Sequence, residues 1–323
     1  MYDFQGAGEY TLVRSATGDV NVQVRVSPIA HSKTVALNAA VAMNVVSTHV
    51  EFDPGVPPVV RVNGKSIARP KSAGQPLPGG GRIAYKAHRQ AGDLIVTWPD
   101  GSLIDVYAND YAEDVTFTPP AAGVDTFSGL LAAAPTGTTK SIKARSLTLV
   151  GGNGLTYVVN LTTRNGLTTL YGPFADSWRV TPKTSLFTYH KGQSTSSFDV
   201  KGFPARFSML FQLPGTVRKK AAGVCTAAGV TDPTLLDDCE FDVGATGKTD
   251  FAAGAAHVQA NSGTTVTSPA DKGNVSAHGV RYYFTHPCAV LTEDEIRQDV
   301  GPVASGSISS SDSCLIFTAD GAQ

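Results

Sequence analysis

Residues 2–26, YDFQGAGEYTLVRSATGDVNVQVRV, constrain the fold more than any other stretch of the chain. Aromatic, aliphatic and β-branched residues alternate there with polar ones, on both sides of a turn at residues 15–19. A period of two places alternate side chains on opposite faces of a strand. The run therefore predicts a β-hairpin with one dry face and one wet face.

The same pattern continues downstream. Residues 34–50 (TVALNAAVAMNVVSTHV) alternate imperfectly, and their Val and Thr content predicts a strand with a small-residue stretch. PGVPP at residues 54–58 is a break, because prolines cannot join a ladder. Asn63-Gly64 marks a tight hairpin turn, since both of its central positions favour φ > 0. Further turns are predicted at residues 78–81 and at Trp98-Pro99-Asp100-Gly101, with strands over residues 82–88, 93–98, 103–107 and 114–118. Turns every eight to twelve residues between half-buried strands predict a sandwich or barrel. Residues 124–131 and 147–150 are further strand candidates, and the aromatics of residues 171–187 are expected to cap the core. Helix signals come only later. Residues 216–228 are Ala-rich and precede Gly229. Asp232-Pro233 has the N-cap and N1 chemistry of a short helix through Asp238, and residues 249–259 form a third candidate. Residues 260–280 read as a Gly/Ser/Thr linker. The tail is expected to hold a strand at residues 281–285, a helix opened by TEDE at residues 292–295 and a strand near residues 315–318.

Composition narrows the class. A formal charge of -1 over 323 residues gives no electrostatic case for nucleic acid. Only 16% of residues are charged, while Gly, Thr, Ser, Val and Ala abound, the profile of a turn-rich extracellular β-protein. No stretch of eighteen apolar residues exists, so no transmembrane helix is expected. No basic or apolar leader precedes Tyr2, so any secretion signal is expected to have been removed or to lie outside this sequence. The four cysteines, Cys225, Cys239, Cys288 and Cys314, allow three pairings. Local pairing, Cys225 with Cys239 and Cys288 with Cys314, is the simplest. Disulfides fit the low charge and β-rich context better than reduced thiols. No pair has the CxxC spacing of a zinc site.

Several stretches, in order, resemble the von Willebrand factor type D domain of bacterial proteins. They are YDFQGAGEYTLV, VQVRVSPIAHSKTVALNAAVAMNV, VTWPDGSLIDV, VDTFSGLL, LTTRNG, LYGPFADSWRV and AAGVTDPTLLDDCEFDV, which together span about residues 2–257. The resemblance implies a mainly β fold: a two-sheet antiparallel β-sandwich over residues 1–215. A small helical extension with Cys225 and Cys239 would follow over residues 216–260, then a small segment of unknown type, residues 261–323. It implies an extracellular, secreted module for adhesion or matrix assembly, not an enzyme, with a protein or glycan surface partner. Such domains often hold structural calcium in an Asn/Asp-rich loop after the GLL strand. Here Gly129-Leu130-Leu131 is followed by AAAPTG, without Asn or Asp, and the family's GDPH and FDG segments are missing. The remnant ligands are Asn153, Asn160 and Asn165, neutral amides that are weak calcium ligands by themselves and good turn formers. No cofactor is therefore expected, with calcium at these three amides as the alternative.

Other chemistry is sparse in the sequence. No GxSxG nucleophile elbow occurs, and the seven histidines (His31, His49, His88, His190, His257, His278, His286) are scattered, as surface or strand-edge residues would be. A cluster of His278 and His286 near Cys288 lacks metal-site spacing. Asp237, Asp238, Glu240 and Asp242 read as a solvated helix end, with a loop cation as the alternative. Arg218-Lys219-Lys220 is too short for a nucleic-acid surface, and Gly79-Gly80-Gly81 precedes a strand, so it is a turn and not a phosphate cradle. The rival class is a secreted glycan-active or other hydrolase. It predicts a concave pocket with convergent carboxylates, whereas a binding module predicts an exposed aromatic or apolar patch.

Overall fold

The computed structural model describes residues 4–30, 32–54, 57–88, 92–109, 112–120, 127–132, 146–208 and 210–262. The chain first lays down a meander of six antiparallel strands: β1 (Gly8–Ser15), β2 (Val20–Pro28), β3 (Ala36–Val45), β4 (Thr48–Asp53), β5 (Val59–Val62) and β6 (Lys65–Ile67). It then crosses to a second meander of β7 (Gln75–Pro76), β8 (Arg82–Ala87), β9 (Gly92–Thr97), β10 (Leu103–Ala108) and β11 (Glu113–Thr118). It returns with β12 (Phe127–Ser128), which pairs beside β1 and completes the larger sheet as seven strands in the order β12-β1-β2-β3-β4-β5-β6. The smaller sheet has the order β11-β10-β9-β8-β7. The two sheets pack into a sandwich, as the turn spacing predicts.

Alternation explains the core. Val20, Val22, Val24 and Val26 of β2, Val41, Met43 and Val45 of β3, and Val50 and Phe52 of β4 point inward from the larger sheet. Ile83 and Tyr85, Leu94 and Val96, Ile104 and Val106, and Phe117 face them from the smaller one. Each fully buried aliphatic or aromatic side chain contributes about 1.5–3 kcal/mol over its exposed state. The Trp98 turn is pinned across the sandwich, since the indole Nε1 donates to the carbonyls of Asp19 and Asn44, each at 3.0 Å.

Three expectations change. Residues 34–50 are not one strand. The chain reverses at Val46-Ser47, and Val46 takes φ 56°, a conformation that valine rarely adopts. The pairing of Val45 with Thr48 and the bond from Val46 N to Asp19 O hold it there. The region near residue 150 gains a partner: β13 (Ser146–Val150) pairs with β14 (Thr156–Asn160) as a separate hairpin. The aromatic segment is helical in part, with α1 (Arg164–Thr169), a wider turn through residues 170–174 and α2 (Ala175–Ser177). Its Leu167, Leu170, Phe174 and Trp178 close one end of the core, which is the expected capping role.

The helical extension forms α3 (Gly215–Ala227), α4 (Pro233–Thr246) and α5 (Phe251–Ser262). Asp232 caps α4 by accepting from Thr234 N and Leu235 N at 2.9 and 3.0 Å, and Pro233 sits at its first position. The helix does not stop at Asp238. It runs on to Thr246, so Glu240 and Asp242 are helical residues and not loop ligands. Glu240 is held by Arg218 of α3 at 3.3 Å. Cys225 and Cys239 form a disulfide between α3 and α4, with Cα atoms 6.1 Å apart, inside a small core with Ala221, Val230, Leu235 and Phe251. Cys288, Cys314 and the predicted elements of residues 263–323 lie outside the described residues.

Closing a loop of about this length contributes ~3 kcal/mol in the chain-entropy model. Reduction is expected to melt the helices before the sandwich. Far-ultraviolet circular dichroism at the helix band, with and without reductant, checks this; coincident melting under both conditions would refute it.

Candidate functional site

Inward alternation of β2 leaves Gln23 and Arg25 on the outward face of the larger sheet. Residues 181–199 cross that face as a strap. Gln23 ties it down twice: Nε2 donates to Thr184 O at 2.7 Å and Oε1 accepts from Leu186 N at 2.9 Å. Phe187 buries its ring beside Ala40 and Ala42, whose small side chains make room for it. Beneath the strap runs a row of charges. Arg25 Nε donates to Glu9 Oε1 at 2.8 Å, and Nη2 of the same arginine lies 2.7 Å from that oxygen. The Arg25 guanidinium also lies 4.4 Å from the Phe187 ring centre and 3.6 Å from that of Phe198. Tyr189 donates its hydroxyl to the second Glu9 oxygen, and burial together with that bond raises the phenol pKa.

Next along the face, Arg61 of β5 pairs with Asp53 and lies 3.7 Å from Glu51, both on β4. Glu51 accepts from Thr188 N at 3.2 Å. Its pKa is raised, chiefly by burial and further by the Asp53 charge, while the Thr188 bonds and Arg61 oppose the shift. On either side of Arg61 the surface sinks into a depression of about 300 Å³, and the two share Glu51, Arg61 and Thr188. His49 and Phe187 line one; Tyr189, His190, Gln193 and Phe198 line the other. Together they form one polar groove with an arginine on its floor, carboxylates beside it and aromatic edges.

The residues singled out by the calcium-loop resemblance sit elsewhere. Asn153 lies in the turn between β13 and β14, where its Oδ1 accepts from Leu155 N at 3.1 Å and its Nδ2 donates to Tyr157 at 2.9 Å. Asn160 ends β14, and its Oδ1 accepts from Thr162 N and Thr162 Oγ1 at 2.9 and 2.8 Å. Asn165 lies in the first turn of α1. Asn160 and Asn165 flank the short link from β14 to α1, while Asn153 is at the far end of the hairpin. The amide oxygens of Asn153 and Asn160 are occupied by turn bonds, so this donor set does not converge on a cation and no step is assigned to calcium.

The histidines are less scattered than the sequence implies. His49 and His190 lie on the groove rim. His88 and His257 meet on the outward face of the smaller sheet, with ring centres 6.1 Å apart. Asp93 of β9 and Asp105 and Tyr107 of β10 point out from that face, opposite Leu94, Ile104 and Val106. α5 lies over them. Gly254, His257 and Asn261 fall at three- and four-residue intervals, on one face of the helix. A Cβ on Gly254 would stand 2.0 Å from Asp114 Oδ2, so glycine is what lets α5 approach β11. His257 stacks on Tyr107 at 4.5 Å, and its Nε2 lies 3.2 Å from Asp105 Oδ2, 2.7 Å from Asn261 Nδ2 and 3.7 Å from Asp93 Oδ1. His88 Nε2 lies 2.8 Å from Asp93 Oδ2.

Electrostatics follow from this packing. Burial raises the Asp93 pKa against the pull of His88 and His257, and pushes Asp114 up to about 6 against the His257 charge. For His257 burial opposes the charged form, but the Asp105 hydrogen bond and the charges of Asp105, Asp93 and Asp114 outweigh it and raise the pKa. Sequence spacing hid this cluster, because its strands and its helix lie some 150 residues apart. The available signal was two aspartates at outward positions of central strands, together with a Gly/His/Asn face on a helix that is otherwise Ala-rich.

The chain matches no family model and no curated protein.

Proposed function

We propose that the chain is a non-enzymatic extracellular module of the von Willebrand type D kind, which binds or assembles a surface or matrix component through the Arg61 groove. The observation that carries the reading is the groove itself. A guanidinium with adjacent carboxylates, hydroxyls and an amide offers paired donors and acceptors, and the half-buried rings of Tyr189 and Phe198 lie at its edge. That chemistry suits a hydroxyl-rich glycan better than an apolar peptide. The Cys225–Cys239 bridge suits an oxidising compartment, and the ordered sequence stretches support the family.

Co-sedimentation with insoluble polysaccharides and a glycan array test this reading. Arg61→Ala, together with the exposed rim changes His49→Ala and His190→Ala, is expected to weaken retention by about tenfold or more, roughly 1.4 kcal/mol. Retention that is indifferent to all three changes would overturn it, as would saturable binding to a protein partner with no glycan retention.

One feature favours a second reading, a glycan-active hydrolase. Glu51 and Asp53 stand together at the groove, and burial raises the Glu51 pKa, the direction a general acid requires. Release of new reducing ends from a retained polysaccharide, abolished by Glu51→Gln, would establish it in place of the binding module.

A further inference from the structure

The structure assigns a transition-metal site to the smaller sheet: we propose that His88, Asp93 and His257 bind one divalent ion of the zinc class, with Asp105 beside them. This site is independent of the Arg61 groove and lies on the opposite sheet.

The donor set fits that class. Two imidazole nitrogens and a carboxylate are the ligands preferred by zinc and its first-row neighbours, whereas calcium and magnesium prefer all-oxygen shells. One donor atom from each of His88, Asp93 and His257 falls within 4.8 Å of the other two. A tetrahedral site with bonds of ~2.0–2.1 Å has donor atoms about 3.3 Å apart. The imidazole–carboxylate separations bracket that value: 2.8 Å from His88 Nε2 to Asp93 Oδ2, 3.7 Å from His257 Nε2 to the other Asp93 oxygen and 3.2 Å from His257 Nε2 to Asp105 Oδ2.

A second observation points to a ligand. Asp93 is 3% exposed, yet its Oδ1 makes no hydrogen bond among the described residues, and the same holds for Oδ1 of Asp105, which is 7% exposed. A buried carboxylate oxygen without a hydrogen bond is costly; His257 stands 3.7 Å from Asp93 Oδ1, too far for such a bond, and a cation between the groups would satisfy both oxygens. Access is open, because the His88 side chain is 43% exposed. The ion would join the end of β8 and the start of β9 to α5, and so clip the helical extension onto the sandwich.

The test uses the full chain after exhaustive dialysis against chelator. Zinc is titrated in competition with a chromophoric chelator, cobalt is added separately for its visible spectrum, and melting is followed with and without zinc. The expected result is one zinc per chain, cobalt bands of a tetrahedral site, and a melting temperature raised by several degrees. His88→Ala and His257→Ala should each weaken zinc binding by about 100-fold and abolish the cobalt bands, while His190→Ala should change neither. His257 packs on Tyr107, so its variant alone does not separate lost ligation from misfolding; exposed His88 supplies the deciding variant. Absence of saturable zinc or cobalt binding would overturn the site. So would stoichiometric binding that survives His88→Ala, which would locate the ion elsewhere in the chain.

Discussion

Replacing Arg25 by methionine is expected to destabilise the protein by about 4 kcal/mol at pH 7, although the volume change is small and the apolar contacts with Phe187 and Phe198 persist. The cost arises from Glu9, which is 3% exposed and would lose its counter-ion while staying under the strap. Only the Tyr189 hydroxyl would remain to meet that buried carboxylate. Adding Glu9→Gln should restore most of the stability, because it removes the stranded charge and leaves an amide for Tyr189 to meet. Urea denaturation of the single and double variants at pH 7 decides the matter. Equal deficits for the two would show that Arg25 acts through packing alone.

The Arg25 row also shows where sequence reading succeeds and where it stops. The hairpin alternation places Arg25 on the outward face of β2, but nothing local shows that a strap contributed some 160 residues later covers that face. Turn chemistry is different, because it is decided within four residues. Asn63-Gly64 adopts φ 49° and 73°, and Gly101 adopts 93°, as their sequences predict. The Asp232-Pro233 cap is equally local. Val46 is the opposite case: a β-branched residue does not favour a left-handed turn, and the pairing of β3 with β4 together with the bond from Val46 N to Asp19 O imposes one. The His88–Asp93–His257 cluster belongs with the strap. It depends on α5 docking against β10 and β11, a long-range contact that periodicity does not report.

Gly129→Ala is expected to destabilise the protein by about 3–5 kcal/mol, through two separate effects. The residue adopts φ 132°, a region that L side chains avoid at a cost of about 1–3 kcal/mol. A Cβ there would also stand 2.4 Å from Leu12 O and 2.8 Å from Leu12 C, atoms of the β1 backbone that cannot rotate away. Leu12 lies where the pairing of β1 with β2 shifts register between Thr11 and Val13. The irregularity in β1 and the close approach of residue 129 are therefore parts of one joint, which sets β12 beside β1 and delivers Leu130 to the core. A methyl group would push that joint apart and open the sandwich edge. Gly18→Ala is the control. Gly18 also has positive φ, at 83°, but nothing lies within 4 Å of the point where a methyl group would stand, so only the conformational cost of about 1 kcal/mol remains. Chemical denaturation of the two variants separates strain from collision. If Gly129→Ala loses no more stability than Gly18→Ala, the contact with β1 is soft and the joint does not hold the edge.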